Sequence, residues 1–399
     1  MHEPFILSNV TICLEDGKLI DGEILISNGK IIEIIEGQSG IDVVRLDGKG
    51  CTVLPGFIDI HIHGADEADY MDGKVEATET IAHYLPSEGT TSFLATTITQ
   101  APEEIRKAVE SNREYSKVAK AGAAEMLGFH LEGPFIHPDQ AGAQPKEYIT
   151  EPSIELLASW FGESLDDLKV VTLAPERDHE HQVIKRLNEL GVIVSAGHTK
   201  ATYSEMEEAI AAGVSHLTHF TNAMTGIHHR EIGVVGAGFM DERLFCEVIA
   251  DGVHMSDEML KMIAAFIDPE RLMLITDSMR AKGMPVGSYT LGGQQVDVNG
   301  QKAVLSDGTL AGSILKMNDG VRRMKDVAAF SWHELQQISS QNAAKRLGVF
   351  ERKGSITRGK DADIVLLTEN CDVMCTLCKG TIGYIHEKLT YGQEGNLNG

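Results

Sequence analysis

Between residues 56 and 277 the chain passes eight times from a short apolar run to a polar or amphipathic stretch, and this alternation is what most narrows the fold. The runs are GFIDIHI (56–62), TSFLATTI (91–98), EMLGFHLE (125–132), KVVTLAP (169–175), GVIVSAGH (191–198), VSHLTHF (214–220), LFCEVIA (244–250) and LMLITD (272–277). Each has the length of a strand, and helical segments such as EEIRKAVESNREYSKVAKA and YSEMEEAIAAG lie between several of them. Strands that alternate with helices form parallel sheets, and eight such units are the complement of a (β/α)8 barrel. Residues 1–54 have a different texture, short strands joined by turns at EDGK, SNGK and LDGKG, and residues 349–399 return to it with GSITRGKDADIVLL. Neither end is long enough to bury a core of its own. The expected architecture is therefore α/β: a (β/α)8 TIM barrel over 55–348, with a small β-sandwich domain formed by the N- and C-terminal segments 1–54 and 349–399.

Charge narrows the partners. A formal net charge of −24, with no basic run, repels a polyanion, so nucleic acid is not an expected partner. No apolar stretch approaches the roughly 20 residues of a membrane span, and MHEPFILSNV lacks the basic start of a secretion signal, so a cytoplasmic location away from membranes is expected. Cys13, Cys51 and Cys246 lie in strand-like runs that suit reduced, buried thiols. Cys371, Cys375 and Cys378 have a spacing open to a metal, but no fourth ligand is evident, and DVMCTLCKGTIGY also reads as two strands around a Lys-Gly turn.

In such barrels the chemistry sits at the C-terminal ends of the strands. The first run ends in His61 and His63, the third in Glu132, the fifth in His198, the sixth in His219 and the eighth in Asp277. Alternation along an extended chain puts His61 and His63 on one face, with Ile60 and Ile62 on the other. Four imidazoles and two carboxylates at one mouth point to a metal site, and this donor set suits zinc or iron, with cobalt or manganese also compatible. Five ligands and a remaining acid exceed one tetrahedral ion, so two ions per chain, bridged by Glu132, are expected. Other histidines fall outside the set. His216 is out of phase with His219 and is expected to pack against a helix, His130 lies one layer deeper as a supporting residue, His83 sits on a helix, and His179 and His181 open a polar helix.

The segments LPGFIDIHIHG, HLEGPF, GAQPKE, SAGHT, HLTHFTNAM, ADGVHM, ITDSM, LAGS and GSITRGKDADIV together resemble the amidohydrolase superfamily, and within it the family that deacetylates N-acetylglucosamine 6-phosphate. The resemblance implies that His198 and His219 with Glu132 hold the more constant ion, that His61 and His63 complete a second, and that Asp277 is the catalytic acid/base. It also implies a 6-phosphosugar substrate met by Ala143, Gln144, Asn222, Ala223, His254, Leu310, Ala311 and Gly312, and a homodimer in which Arg230 reaches the partner's site. Gln144 stands where many members have a histidine that polarises the acetyl carbonyl, and a glutamine brings no charge to that task. The epimeric N-acetylgalactosamine 6-phosphate is the nearest alternative substrate. Other amidohydrolases, such as cyclic amidases that bridge their metals with a carboxylated lysine, are a wider one, and a catalytically dead barrel would have lost ligands that this chain retains.

Overall fold

The turn-rich first segment becomes strands β1 (Phe5–Cys13), β2 (Leu19–Ser27), β3 (Lys30–Glu36), β4 (Val44–Asp47) and β5 (Thr52–Pro55) in the computed structural model. The structure describes residues 3–389, so the outermost ends of the two terminal segments, 1–2 and 390–399, lie outside it. Asn28 and Gly29 both adopt left-handed backbone (φ 51 and 75), the twist a two-residue hairpin needs between β2 and β3.

The eight apolar runs form β6 (Phe57–Ile62), β7 (Thr90–Thr97), β8 (Glu125–Glu132), β9 (Leu168–Leu173), β10 (Ile193–Ala196), β11 (Val214–Leu217), β12 (Phe245–Val248) and β13 (Leu272–Leu274). They are parallel and hydrogen-bonded in chain order. β6 and β7 are buried along their whole length, as strands covered on both faces must be. Closure comes just past β13: Asp277 N donates to His61 O at 2.8 Å, and the Thr276 hydroxyl donates to the buried carboxylate of Asp59 at 2.5 Å. The ends of the first and eighth strands are thus fastened together directly beneath the candidate site. Ile58, Ile60, Leu94, Val170, Ile193, Ile249 and Met273 pack inside the barrel. Helices including α1 (Val75–Tyr84), α2 (Pro102–Val118) and α3 (Ile154–Phe161) bury apolar faces against its outside.

Strict alternation fails at the end of β6. Its pairing with β7 shifts register between Asp59 and Ile62, and Ile62 N donates instead to the Thr96 hydroxyl at 3.0 Å. In consequence Ile60 packs inside the barrel while Ile62 joins the outer layer, not one common face opposite the histidines.

After β13 the chain adds β14 (Gly287–Leu291), β15 (Gln294–Asn299) and β16 (Lys302–Val304), an antiparallel sheet at the mouth that the alternating pattern did not announce. The C-terminal segment supplies β17 (Ile364–Leu367), β18 (Val373–Cys378) and β19 (Thr381–Ile385). These join the first strands in a sheet ordered β19-β18-β17-β5-β1-β2-β3, with β4 also on β1. β18 and β19 turn at Lys379 and Gly380 (φ 47 and 72), as the Lys-Gly pair predicts. All six cysteines are free and buried, and none belongs to a metal-ligand cluster among the described residues.

Candidate active site

The side chains of interest occupy the residues where the chain leaves the barrel. Glu132 is the last residue of β8, His63 follows β6, and His198, His219 and Asp277 lie two to three residues beyond β10, β11 and β13. Those last three take left-handed backbone (φ 48, 32 and 48), rare for residues with a Cβ. The bend aims each side chain across the mouth and not along its strand.

There the acids and imidazoles meet. Glu132 Oε1 lies 3.1 Å from His198 Nε2, 3.2 Å from His219 Nε2 and 3.5 Å from His61 Nε2. Its Oε2 lies 3.3 Å from His63 Nε2. Asp277 Oδ1 stands 3.2 Å from His63 Nε2 and 3.5 Å from His61 Nε2. Two groups with metal-ligand spacing result, His61, His63 and Glu132 on one side and Glu132, His198 and His219 on the other, with Glu132 common to both. The remaining nitrogens say which lone pairs are free. His198 Nδ1 faces the carbonyl of Gln140 at 2.7 Å, and a carbonyl only accepts, so this nitrogen carries the hydrogen and Nε2 is left as a donor of electrons. That Nε2 is 3.0 Å from His219 Nε2, and both face Glu132 Oε1, so two imidazoles and a carboxylate converge on one point. The donor set therefore fits a divalent transition metal.

The electrostatics agree. Burial alone would raise the Glu132 carboxyl, but the charge of His61 and the close approach of the His198 and His219 imidazoles hold it well below the usual carboxylate range. Asp277 is likewise held at about 2 against its burial, by His61 and His63. Burial disfavours the His63 imidazolium, yet hydrogen bonds to Asp277 and Glu132 push its pKa up to about 9. These groups stabilise positive charge at their centre, whether protons or a metal carries it.

The cluster floors a cavity of about 520 Å³. Ala143, Gln144, Asn222, Ala223, His254, Leu310 and Gly312 line it, while Ala311 is fully buried behind. Gln144 is fixed at both ends of its amide, donating to Glu132 Oε2 at 2.6 Å and accepting from Thr99 N at 2.8 Å. His254 Nδ1 donates to Asp251 at 2.7 Å. Gly312 (φ 63) runs so near the Asp277 carbonyl that a Cβ would come within 2.9 Å. Arg230 is exposed, touches His229 Nε2 at 2.6 Å and does not line this cavity. Among the lining residues Lys146 is the one Lys or Arg, unmarked in the sequence reading.

The excluded histidines have other partners. His130 spends both ring nitrogens, on Ile60 O and the Thr172 hydroxyl, at 2.9 and 2.7 Å. His216 is buried and stacks on Phe245 of the next strand (5.2 Å between centroids), a strand residue and not the helix expected. His83 is on the solvent side of α1, and His179 and His181 bound a short 3₁₀ turn before α4 (Gln182–Glu189). Sequence reasoning passed over Glu247, a fully buried carboxylate on β12 whose Oε2 lies 3.0 Å from His61 Nδ1. Its one signal was an acid inside the apolar run LFCEVIA.

The amidohydrolase family profile matches residues 52–383. The N-acetylglucosamine-6-phosphate deacetylase of Bacillus subtilis (strain 168) is 44% identical over 400 residues, covering 97% of this chain and 99% of its own length. That of Lysinibacillus sphaericus is 40% identical, covering 94% and 97%. The crystal structure of N-acetylglucosamine-6-phosphate deacetylase from Thermotoga maritima matches with a TM-score of 0.86 at 33% identity, over 96% of this chain and 100% of that one.

Proposed function

The chain belongs to the amidohydrolase family, and from that premise we propose that it hydrolyses the acetamido group of N-acetylglucosamine 6-phosphate to acetate and glucosamine 6-phosphate. The observation that carries the reading is Glu132, one carboxylate shared between two pairs of histidines, with Asp277 against the first pair and open space above. Glu132, His198 and His219 would hold one divalent transition metal, zinc or iron, and His61 and His63 with Glu132 a second. Metal held there supplies an acidified water and a polarised carbonyl, which an unreactive amide requires.

The chain's own residues do the rest. Asp277, ionised and facing the same space, takes the proton of the attacking water and delivers it to the amine nitrogen as the C–N bond breaks, so acetate and a free amine depart. Gln144 clamps Glu132 through Oε2 and keeps its carboxylate between the two histidine pairs. Asn222 and Ala223 meet the phosphate, and His254, oriented by Asp251, reaches the sugar or phosphate from the same wall. Lys146 is the one Lys or Arg lining the cavity, little positive charge for a dianion. That imbalance supports a homodimer in which the exposed Arg230 completes the partner's phosphate site with its bidentate fork. Among the described residues no helix is long and apolar enough to cross a membrane. With six free, buried thiols, we place the reaction in the cytoplasm.

The test is acetate release from a panel containing N-acetylglucosamine 6-phosphate, its C4 epimer and the two unphosphorylated sugars. The glucosamine phosphate is expected to have the highest kcat/KM. A higher value for the epimer would overturn the substrate assignment, and no acetate from any metal-loaded preparation would overturn the reaction.

A further inference from the structure

Glu247 invites a question that the proposed chemistry leaves open: why bury an acid on β12 where it touches no cation of Lys or Arg? Burying an ionised carboxylate is costly unless its hydrogen bonds are made, so its partners indicate its task. They are two. Oε2 lies 3.0 Å from His61 Nδ1, and the same atom accepts the backbone N–H of His219 at 3.1 Å. The backbone carbonyl of Glu247 also accepts from Phe220 N at 2.8 Å. One residue of β12 thus holds a side chain at the end of β6 and the backbone past β11.

The bond to His61 has a chemical consequence. A carboxylate accepts, so Nδ1 is the protonated nitrogen of the neutral ring, and the lone pair of Nε2 points to the mouth between Glu132 and Asp277. His61 Nε2 has no hydrogen-bond partner there, although it is fully buried. His63 differs: its Nδ1 is unpartnered, so nothing behind the ring fixes its orientation. In the other group the same division holds, with His198 anchored through Nδ1 on Gln140 O and His219 Nδ1 unpartnered. Each group therefore contains one anchored imidazole and one free one. Glu247 is the anchor of the first group and also steadies, through its backbone, the free member of the second. The cluster of His61, His130 and Glu247 does not itself hold an ion, because both His130 nitrogens are engaged elsewhere.

We propose that Glu247 is a positioning residue that sets the metal affinity of the His61, His63 and Glu132 group and links it to the Glu132, His198 and His219 group. The inference rests on the two-ion reading above. Outer partners of metal-bound histidines typically change affinity by about 10- to 100-fold when removed.

The experiment is Zn²⁺ titration of chelator-stripped, full-length protein against a chromophoric chelator, with metal per chain counted after desalting. The variants are Glu247→Gln, which keeps the shape and an acceptor oxygen, and Glu247→Leu, which keeps neither bond. The weaker of two Zn²⁺ affinities is expected to fall about 10-fold in Glu247→Gln and about 100-fold in Glu247→Leu, while the stronger changes several-fold at most. In a His61→Gln background, adding Glu247→Gln should leave the remaining ion's affinity unchanged, because the ring it orients is gone and the amide oxygen still accepts His219 N. Wild-type affinities in both variants, or an equal loss at both ions that persists in the His61→Gln background, would overturn the proposal, the second by showing a merely structural role. A wild-type chain that takes a single Zn²⁺ would overturn the two-ion reading and this inference with it, so the two failures are distinct.

Discussion

Strand β8 begins with Glu125 and ends with Glu132, and the two glutamates have opposite kinds of partner. Glu125 lies 2.8 Å from both Arg352 Nη1 and Lys353 Nζ, and 3.2 Å from Lys379. Lys353, nearly inaccessible, also pairs with Asp363, while Lys30 and Arg352 reach Asp361 at 2.6 and 3.0 Å. Despite burial, Arg352 and Lys353 hold the Glu125 carboxyl at about 2. Every acid there has a permanent cation. Glu132 is held ionised as well, but by imidazoles, whose nitrogens offer lone pairs as readily as protons. A buried acid matched by Lys and Arg is complete and fastens the terminal sheet to the barrel. One matched by histidines is open to something added.

The comparison can be broken at either end of the strand. The largest effect is expected from Lys353→Met, which leaves Asp363 buried without its cation and takes one of three from Glu125, and should cost about 3–5 kcal/mol in urea unfolding. The folded fraction should keep its metal and its kcat. Metal loss in step with stability would mean that the two ends are not separable.

At the other end, Asp277→Asn should lower kcat by roughly 10²-fold or more with metal content and unfolding midpoint little changed. Loss of metal in parallel with activity would make Asp277 chiefly a ligand. Arg230→Ala should raise KM for the phosphorylated sugar by roughly 10-fold or more and leave the unphosphorylated sugar unaffected, since a desolvated bidentate contact contributes about 1.5–3 kcal/mol. Mixed dimers of Asp277→Asn and Arg230→Ala chains should recover part of the activity if the arginine crosses between subunits. Replacing His61→Gln with His63→Asn should reduce the metal from about two ions to about one per chain, and equal metal in the two proteins would sink the two-ion assignment.

The smallest effect sharpens the contrast through pH. The carboxyl of Glu125 is depressed from 4.5 to about 2, so its contribution is fully present above about pH 4.5 and is lost as pH falls toward about 2. The urea midpoint should decline across that window, and less steeply in Glu125→Gln. An unchanged slope would show that Glu125 is not paired as described.

Much of this was legible. The eight strands and the five candidate ligands gathered at their ends could be read because strand length, burial and the chemistry of His and Glu are local properties. Glu247 could not, because an acid inside LFCEVIA acquires meaning only when barrel closure brings its carboxylate within 3.0 Å of His61, far away in sequence. The same holds for the closing GSITRGKDADIV: it was visible as a motif, but the reason for Asp361 and Asp363 is a network joining Lys30, Glu125, Lys353 and Lys379. Ile60 and Ile62 part company because a side chain, Thr96, intervenes in the ladder. The β14 to β16 sheet left traces in paired glycines 292 and 293 and in Asn299-Gly300, which mark its turns, but no helix–strand rhythm includes it.

His198, His219 and Asp277 hold a backbone shape that L-residues rarely adopt, at about 1–3 kcal/mol each. Glycine would adopt it freely, so at these three positions the substitution that most relaxes the chain is also the one that deletes its reactive groups. Selection for thermal robustness and selection for turnover therefore pull in opposite directions at these three addresses. A library screened for heat resistance alone would be drawn to the residues that the chemistry can least spare.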